Sequence, residues 1–129
     1  MEQIAIFGLV VLFTIGHALH DAYRIKKQKP IYHGLNIAVR LIVLGVLALC
    51  TYDGILSYLK NIVAYIALFW LLFDYAINTF RNKLGEKWIH WWYVSGNGID
   101  SFLSDQKGYT YRYLRLAIKI AVFIITILI

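Results

Sequence analysis

Residues 62–79 read IVAYIALFWLLFDYAINT, and this stretch decides the fold. Its one charged residue is Asp74. A helix needs about 20 mostly apolar residues, each rising about 1.5 Å, to cross about 30 Å of bilayer hydrocarbon. The stretch therefore predicts a transmembrane helix, and it indicates that lipid is the solvent of this fold.

The composition of the whole chain agrees with that prediction. Of the 129 residues, 60% are hydrophobic and 16% are charged, and the mean hydropathy is +0.64. These values lie outside the usual range of soluble domains, and the length fits a single domain over residues 1–129. The N-terminus has no basic region and no small-residue cleavage site, so we expect the first apolar segment to be retained. The only cysteine, Cys50, lies in an apolar run, where it is expected to act as a small buried hydrophobe.

Three other stretches resemble residues 62–79 in length and hydropathy. The sequence thus predicts an all-α, polytopic membrane protein with four transmembrane helices, over about 4–20, 35–52, 62–79 and 113–129. Between the third and fourth, Asn97-Gly98 indicates a turn and a short interfacial helix to about Lys107. A tract of tryptophans before it, from Trp88 to Trp92, is typical of an aromatic belt at the headgroup layer.

The distribution of basic residues predicts the orientation. Of the 13 lysines and arginines, only Lys60 falls on the side of the connection between spans two and three. Cytoplasmic loops carry an excess of Lys and Arg, so the two long connections are predicted to be cytoplasmic and both termini to face outward. The net charge of +6 therefore points to anionic lipid headgroups as partners and not to nucleic acid. Several basic residues are interpreted as topology determinants that reach toward lipid phosphates: Arg24, Lys26, Lys27, Lys29, Arg81, Lys83, Lys87 and Arg112.

Each predicted span also carries polar residues at helical spacing near its cytoplasmic end. Residues three, four or seven apart project from one face of a helix. The four stripes are His17, His20, Asp21 and Arg24; His33, Asn36 and Arg40; Asp74, Asn78 and Arg81; and Arg112, Arg115 and Lys119. Counted from the outer edge, the stripes reach a similar depth, where a bare charge in lipid costs roughly 1 to 3 kcal/mol. They are therefore expected to face one another.

Asp74 has too short a side chain to reach the headgroups, so it is predicted to have a cationic partner from another span. By depth, Arg115 is the first candidate and Arg40 the second, and Lys119 is expected to reach toward the interface. We predict that Arg40, Asp74, Asn78 and Arg115 form a ligand-binding site. Such a pair is also typical of a purely structural contact that fixes helix register.

His17, His20 and Asp21 have the spacing at which one helix can supply several metal ligands. His33 and Asp74 could add ligands from other elements, and such a set would suit a divalent metal such as zinc, iron or manganese. The structural alternative is that these histidines only form hydrogen bonds. His17, His20 and His33 are also the candidates for proton transfer if the protein is an enzyme, a question the sequence leaves open.

No nucleophile elbow, phosphate-binding glycine loop or CxxC motif is present in the sequence. The leading hypothesis is a small membrane protein with a cationic His/Asp/Arg pocket that binds an anionic, lipid phosphate-like group, with or without a metal. One alternative is a non-enzymatic homo-oligomer, such as a pore, a holin-like protein or a membrane-remodelling protein. Another is an accessory subunit of a larger membrane complex.

Overall fold

A computed structural model describes residues 2–85 and 111–129, without the side chains of residues 111 and 112. These ranges contain four helices and no strand: α1 (Glu2–Lys26), α2 (His33–Leu49), α3 (Ile55–Lys83) and α4 (Tyr111–Leu128). The all-helical class and the four helices predicted from the sequence are confirmed for this part of the chain. The predicted interfacial helix and the tryptophan tract lie outside the described residues.

The helix bounds differ from the predicted spans, most of all at α3. This helix begins at Ile55, seven residues before the predicted span, and its N-cap is Gly54 with φ of +91°. Only glycine adopts such a backbone readily, so the chain can turn at Gly54 and start the next helix at once. The predicted connection between spans two and three, residues 53–61, is therefore mostly helix. The connection that remains, after Leu49, begins with Cys50, which is exposed and not buried as predicted.

Two of the helices are long and apolar enough to cross a membrane, α1 with 25 residues and α3 with 29. At about 1.5 Å per residue they extend about 38 and 44 Å. The other two fall short of the same standard. α2 has 17 residues, and the 18 residues of α4 include Arg112, Arg115 and Lys119.

α3 is the centre of the bundle because it packs against each of the other three helices, most extensively against α1. The core between them includes Val10 of α1, Leu44 of α2 and the ring of Tyr65 of α3. Phe7 meets the Tyr65 ring edge to face, with centroids 5.3 Å apart. α1 and α2 touch each other over a much smaller surface, which leaves space beside α2.

Large apolar side chains cover much of the outside of the bundle. On α2 they include Leu35, Ile42, Val46 and Leu49. Buried polar side chains are found inside the bundle instead, among them Asp21, Asn78, Arg115 and Lys119. Apolar residues outside and charged residues inside are the arrangement expected when lipid surrounds a fold.

Candidate functional site

Asp21 is the centre of a polar cluster that joins α1 to α2. Its carboxylate is almost fully buried, with 3% of the side chain exposed. It accepts hydrogen bonds from Asn36 Nδ2 at 3.2 Å and from Arg40 Nη2 at 3.2 Å. The ring nitrogens of two histidines lie nearby, His20 Nδ1 at 3.3 Å and His17 Nε2 at 3.7 Å. A buried carboxylate needs such partners, so the cluster explains why Asp21 is tolerated inside the bundle.

Arg40 is the second member of this cluster and is held from three sides. Its Nε donates a hydrogen bond to His17 Nε2 at 3.2 Å, which places the proton of a neutral His17 ring on Nδ1. Its Cζ lies 4.2 Å from the ring centroid of Phe73 and 5.0 Å from that of Phe69. These two rings stack on each other with centroids 5.1 Å apart. The guanidinium plane is therefore fixed by an anion, an imidazole and an aromatic surface.

Asp74 and Lys119 form a second ion pair, between α3 and α4. Lys119 Nζ donates to Asp74 Oδ2 at 2.8 Å and to the backbone oxygen of Trp70 at 3.0 Å. The ammonium also lies 4.8 Å from the Trp70 ring centroid. Lys119 is fully buried, whereas 23% of the Asp74 side chain is exposed.

A cavity of about 580 Å³ lies between α2 and α3, next to both clusters. Its polar lining is at the end where α2 begins and α3 ends. The polar residues are Asp21, His33, Arg40, Asp74, Asn78 and Arg81. Toward the middle of the bundle the lining becomes apolar and includes Leu41, Leu44 and Ile66. The cavity thus has one polar end and one apolar end.

The structure brings most of the predicted site residues to this region. The predicted residues that line the cavity are Arg40, Asp74, Asn78 and His33. His17 accepts a hydrogen bond from Arg40. Arg115 is buried on α4, one helical turn from Lys119, but does not line the cavity.

His20 does not turn into the bundle as predicted. Of its side chain 58% is exposed, against 10% for His17. The inward face of α1 passes through Ala18, and at about 100° per residue His20 lies about 200° around the helix from that position. The spacing of the stripe gave the relative directions of its members, but not the rotation of α1 against α3.

The partner of Asp74 at 2.8 Å is Lys119, which was expected to extend toward the interface. Asp74 therefore has a cationic partner from another helix, as predicted. The residue whose nitrogen lies 2.8 Å from Asp74 Oδ2 is Lys119, and not the predicted Arg115 or Arg40. One helical turn, about 5.4 Å, separates the predicted and observed positions on α4. A depth estimate from sequence cannot resolve one turn.

The metal hypothesis gains no support from the arrangement. Within the described residues, no three His, Cys, Asp or Glu side chains are grouped so that they could hold a metal ion. His17 Nε2 accepts the hydrogen bond from Arg40, which occupies the lone pair that a metal would need.

Sequence reasoning missed two features of the cavity lining: Arg81, and the stacked rings of Phe69 and Phe73. Arg81 was interpreted as a topology determinant, although it lies seven residues after Asp74 on the same helical face. Phe69 and Phe73 were read only as apolar residues of a span. Their four-residue spacing, level with an arginine on the neighbouring helix, was the signal that could have revealed them.

Comparisons with protein-family models, with curated proteins and with solved structures give no match, so the site has to be interpreted from its own chemistry.

Proposed function

We propose that this chain is an integral membrane protein that binds an anionic, lipid phosphate-like group in the cavity between α2 and α3. All four helices span the bilayer in this proposal. The cavity then opens near the cytoplasmic headgroups, and the start of α1 and the end of α4 face outward.

The observation that carries the proposal is that Arg40 has hydrogen-bond donors that the described residues do not use. A guanidinium has five N–H donors, and Arg40 uses two of them on the described residues, one to His17 and one to Asp21. The side chain lines the cavity and 22% of it is exposed. A fixed arginine with donors to spare is well suited to bind a phosphate, because hydrogen bonds between ionised groups are short and strong.

The charges around the cavity also favour an anion over a cation. Among the residues that the structure describes, the acidic side chains of the lining are Asp21 and Asp74, which are paired with Arg40 and Lys119 respectively. Asp21 is moreover almost fully buried and already accepts several hydrogen bonds. An incoming cation would have to compete for these carboxylates, whereas an incoming anion finds donors on Arg40.

The proposal is for binding and assigns no reaction. His17 holds Arg40 in place, and His33 lines the polar end of the cavity.

Four spans are proposed although α2 and α4 are short. At about 1.5 Å per residue they extend about 26 and 27 Å, close to the hydrocarbon thickness of about 30 Å. The basic residues of α4 are accommodated because Arg115 and Lys119 are buried in the bundle.

Cysteine labelling in a variant with Cys50 replaced by serine tests the topology. A cysteine at Lys26 should be protected from an impermeant reagent in intact cells and one at Asp53 should react, and the reverse result would overturn the orientation.

Lipid retention tests the binding site. The protein is incorporated into phosphatidylcholine nanodiscs that contain phosphatidate as a minor component, and bound lipid is measured by native mass spectrometry. Arg40→Gln should lower phosphatidate retention roughly 10- to 100-fold, the equivalent of about 1.5 to 3 kcal/mol for a hydrogen bond to a charged group. Lys26→Gln is the matched control, because Lys26 is exposed and lies outside the cavity lining.

Equal retention by the wild type and by Arg40→Gln would refute the proposed site. A mass spectrum of homo-oligomers without bound phosphatidate would instead favour the oligomeric alternative.

A further inference from the structure

The shape of the cavity restricts the ligand further than its charge does. On α2 the lining runs from His33 to Leu44, about 17 Å along the helix axis. On α3 it runs from Arg81 to Ile66 in the opposite direction, about 22 Å. The cavity is therefore a long groove parallel to the two helices.

Polarity changes along this groove in one direction. On α3, the polar lining residues lie between Asp74 and Arg81, and the residues from Ile66 to Phe73 are apolar or aromatic. On α2, Arg40 is the last charged residue before Leu41 and Leu44. A small inorganic anion would use only the polar end, and the apolar end of the groove would remain unused.

The deep end of the groove is closed where α2 and α3 approach each other. A Cβ placed on Gly45 would lie 3.4 Å from the Tyr58 hydroxyl and 3.7 Å from Ile62 Cδ1, so the two helices are in contact there. From Leu44 toward Arg40 the two helices line the cavity, and the groove is open on its side, since Ile37, Leu41 and Ile66 line it and are also exposed. In a membrane, that open side faces the acyl chains of the surrounding lipids.

We infer that the groove holds an amphiphile, with its phosphate at Arg40 and one hydrocarbon chain lying between α2 and α3 as far as Leu44 and Ile66. The inference rests on the proposed function and specifies its ligand as a lipid and not a soluble phosphate. The volume is within the range of pockets for drug-sized ligands, which suits a head group and one chain. A second chain of a two-chain lipid would stay in the bilayer.

Two probes with the same phosphate monoester separate a lipid from a soluble ligand. Lysophosphatidate has one acyl chain, and glycerol 3-phosphate has none. Binding of each is measured with the full chain in phosphatidylcholine nanodiscs. The wild type should bind lysophosphatidate, and an equal concentration of glycerol 3-phosphate should leave that binding unchanged.

Lysophosphatidate partitions into the bilayer, which raises its local concentration whether or not the groove holds its acyl chain. A variant that fills the groove is therefore needed as well. Ile66→Trp places a large ring at its apolar end and should lower lysophosphatidate binding at least tenfold. Val63→Trp is the matched control, because Val63 is exposed on the same helix and lines no part of the groove. Leu41→Trp fills the groove from α2 and repeats the test, with the exposed Ile42→Trp as its control.

The two ways to fail are distinguishable. If glycerol 3-phosphate displaces lysophosphatidate, and if both groove-filling variants still bind it normally, the ligand is a soluble phosphate and only the inference falls. If the wild type binds neither probe, the proposed function falls with it.

Discussion

Two ion pairs between described residues, Lys119 with Asp74 and Arg40 with Asp21, contain the same kinds of groups but are placed differently. Lys119 is fully buried and is enclosed by Asp74 and Trp70. Arg40 is paired with Asp21 but lies on the wall of a cavity, with donors that the described residues do not use. Lys119 is thus enclosed by the protein, whereas Arg40 lines a cavity that a ligand can enter.

This difference bears on stability and on binding. Breaking an ion pair is costly when the removal of one member leaves the other charged group buried. That holds for the fully buried Lys119, and it also holds for Asp21, which loses an ion-pair partner when Arg40 is replaced. Substitutions in the Lys119 pair should therefore act on folding, whereas substitutions of Arg40 should act on ligand binding as well, because a ligand phosphate loses its donor.

The largest effect on stability is expected for Asp74→Leu. The fully buried Lys119 would lose the carboxylate at 2.8 Å, and loss of one partner from a buried pair costs about 3 to 5 kcal/mol. The free energy of unfolding can be measured by SDS titration in mixed micelles. The double variant Lys119→Met/Asp74→Leu should recover much of the loss, because an apolar pair of similar volume is often as stable as the ion pair. A single variant as stable as the wild type would show that the pair is not desolvated.

A smaller effect is expected for Asn36→Ala. Asn36 Nδ2 donates to the buried carboxylate of Asp21, and a hydrogen bond to a charged group contributes about 1.5 to 3 kcal/mol. The same titration measures the change. His20→Ala is the control, because His20 also contacts Asp21 but is mostly exposed, where such a pair contributes about 0 to 1 kcal/mol. If His20→Ala were the more harmful substitution, the assignment of Asp21 as a buried centre would be wrong.

The sequence predicted how this site is assembled better than it predicted the individual contacts. The stripes of Asp21, Arg40 and Asp74 are set by helical spacing, and depth follows from the rise per residue, so both can be read from the chain. The outward direction of His20 depends on how α1 is rotated against α3, which spacing alone does not fix. The contact of Lys119 with Asp74 depends on an offset of about one helical turn, which a depth estimate does not resolve.

The groove itself could not be predicted. It depends on how α2 packs against α3, with contact at Gly45 and a cavity lining that begins at Leu44, and this placement results from the packing of the whole bundle. The early start of α3 was also missed, since the predicted span followed hydropathy, whereas the helix begins where Gly54 allows the chain to turn. The four helices of the described residues were predictable, because each of them contains one of the apolar runs of the sequence.

The central claim is that the Arg40 guanidinium binds the anion, and NMR of the arginine side chains tests it most directly. The ¹⁵N and ¹H signals of the arginine Nε and Nη groups are recorded while dodecyl phosphate is added to the protein in neutral detergent. Arg40→Gln assigns the Arg40 signals, and Arg24, which donates to the Pro30 carbonyl oxygen and does not line the cavity, is the internal reference. We expect the Arg40 signals to shift and saturate while the Arg24 signals stay in place. Arg40 signals that do not respond, or that move no more than those of Arg24, would contradict the account.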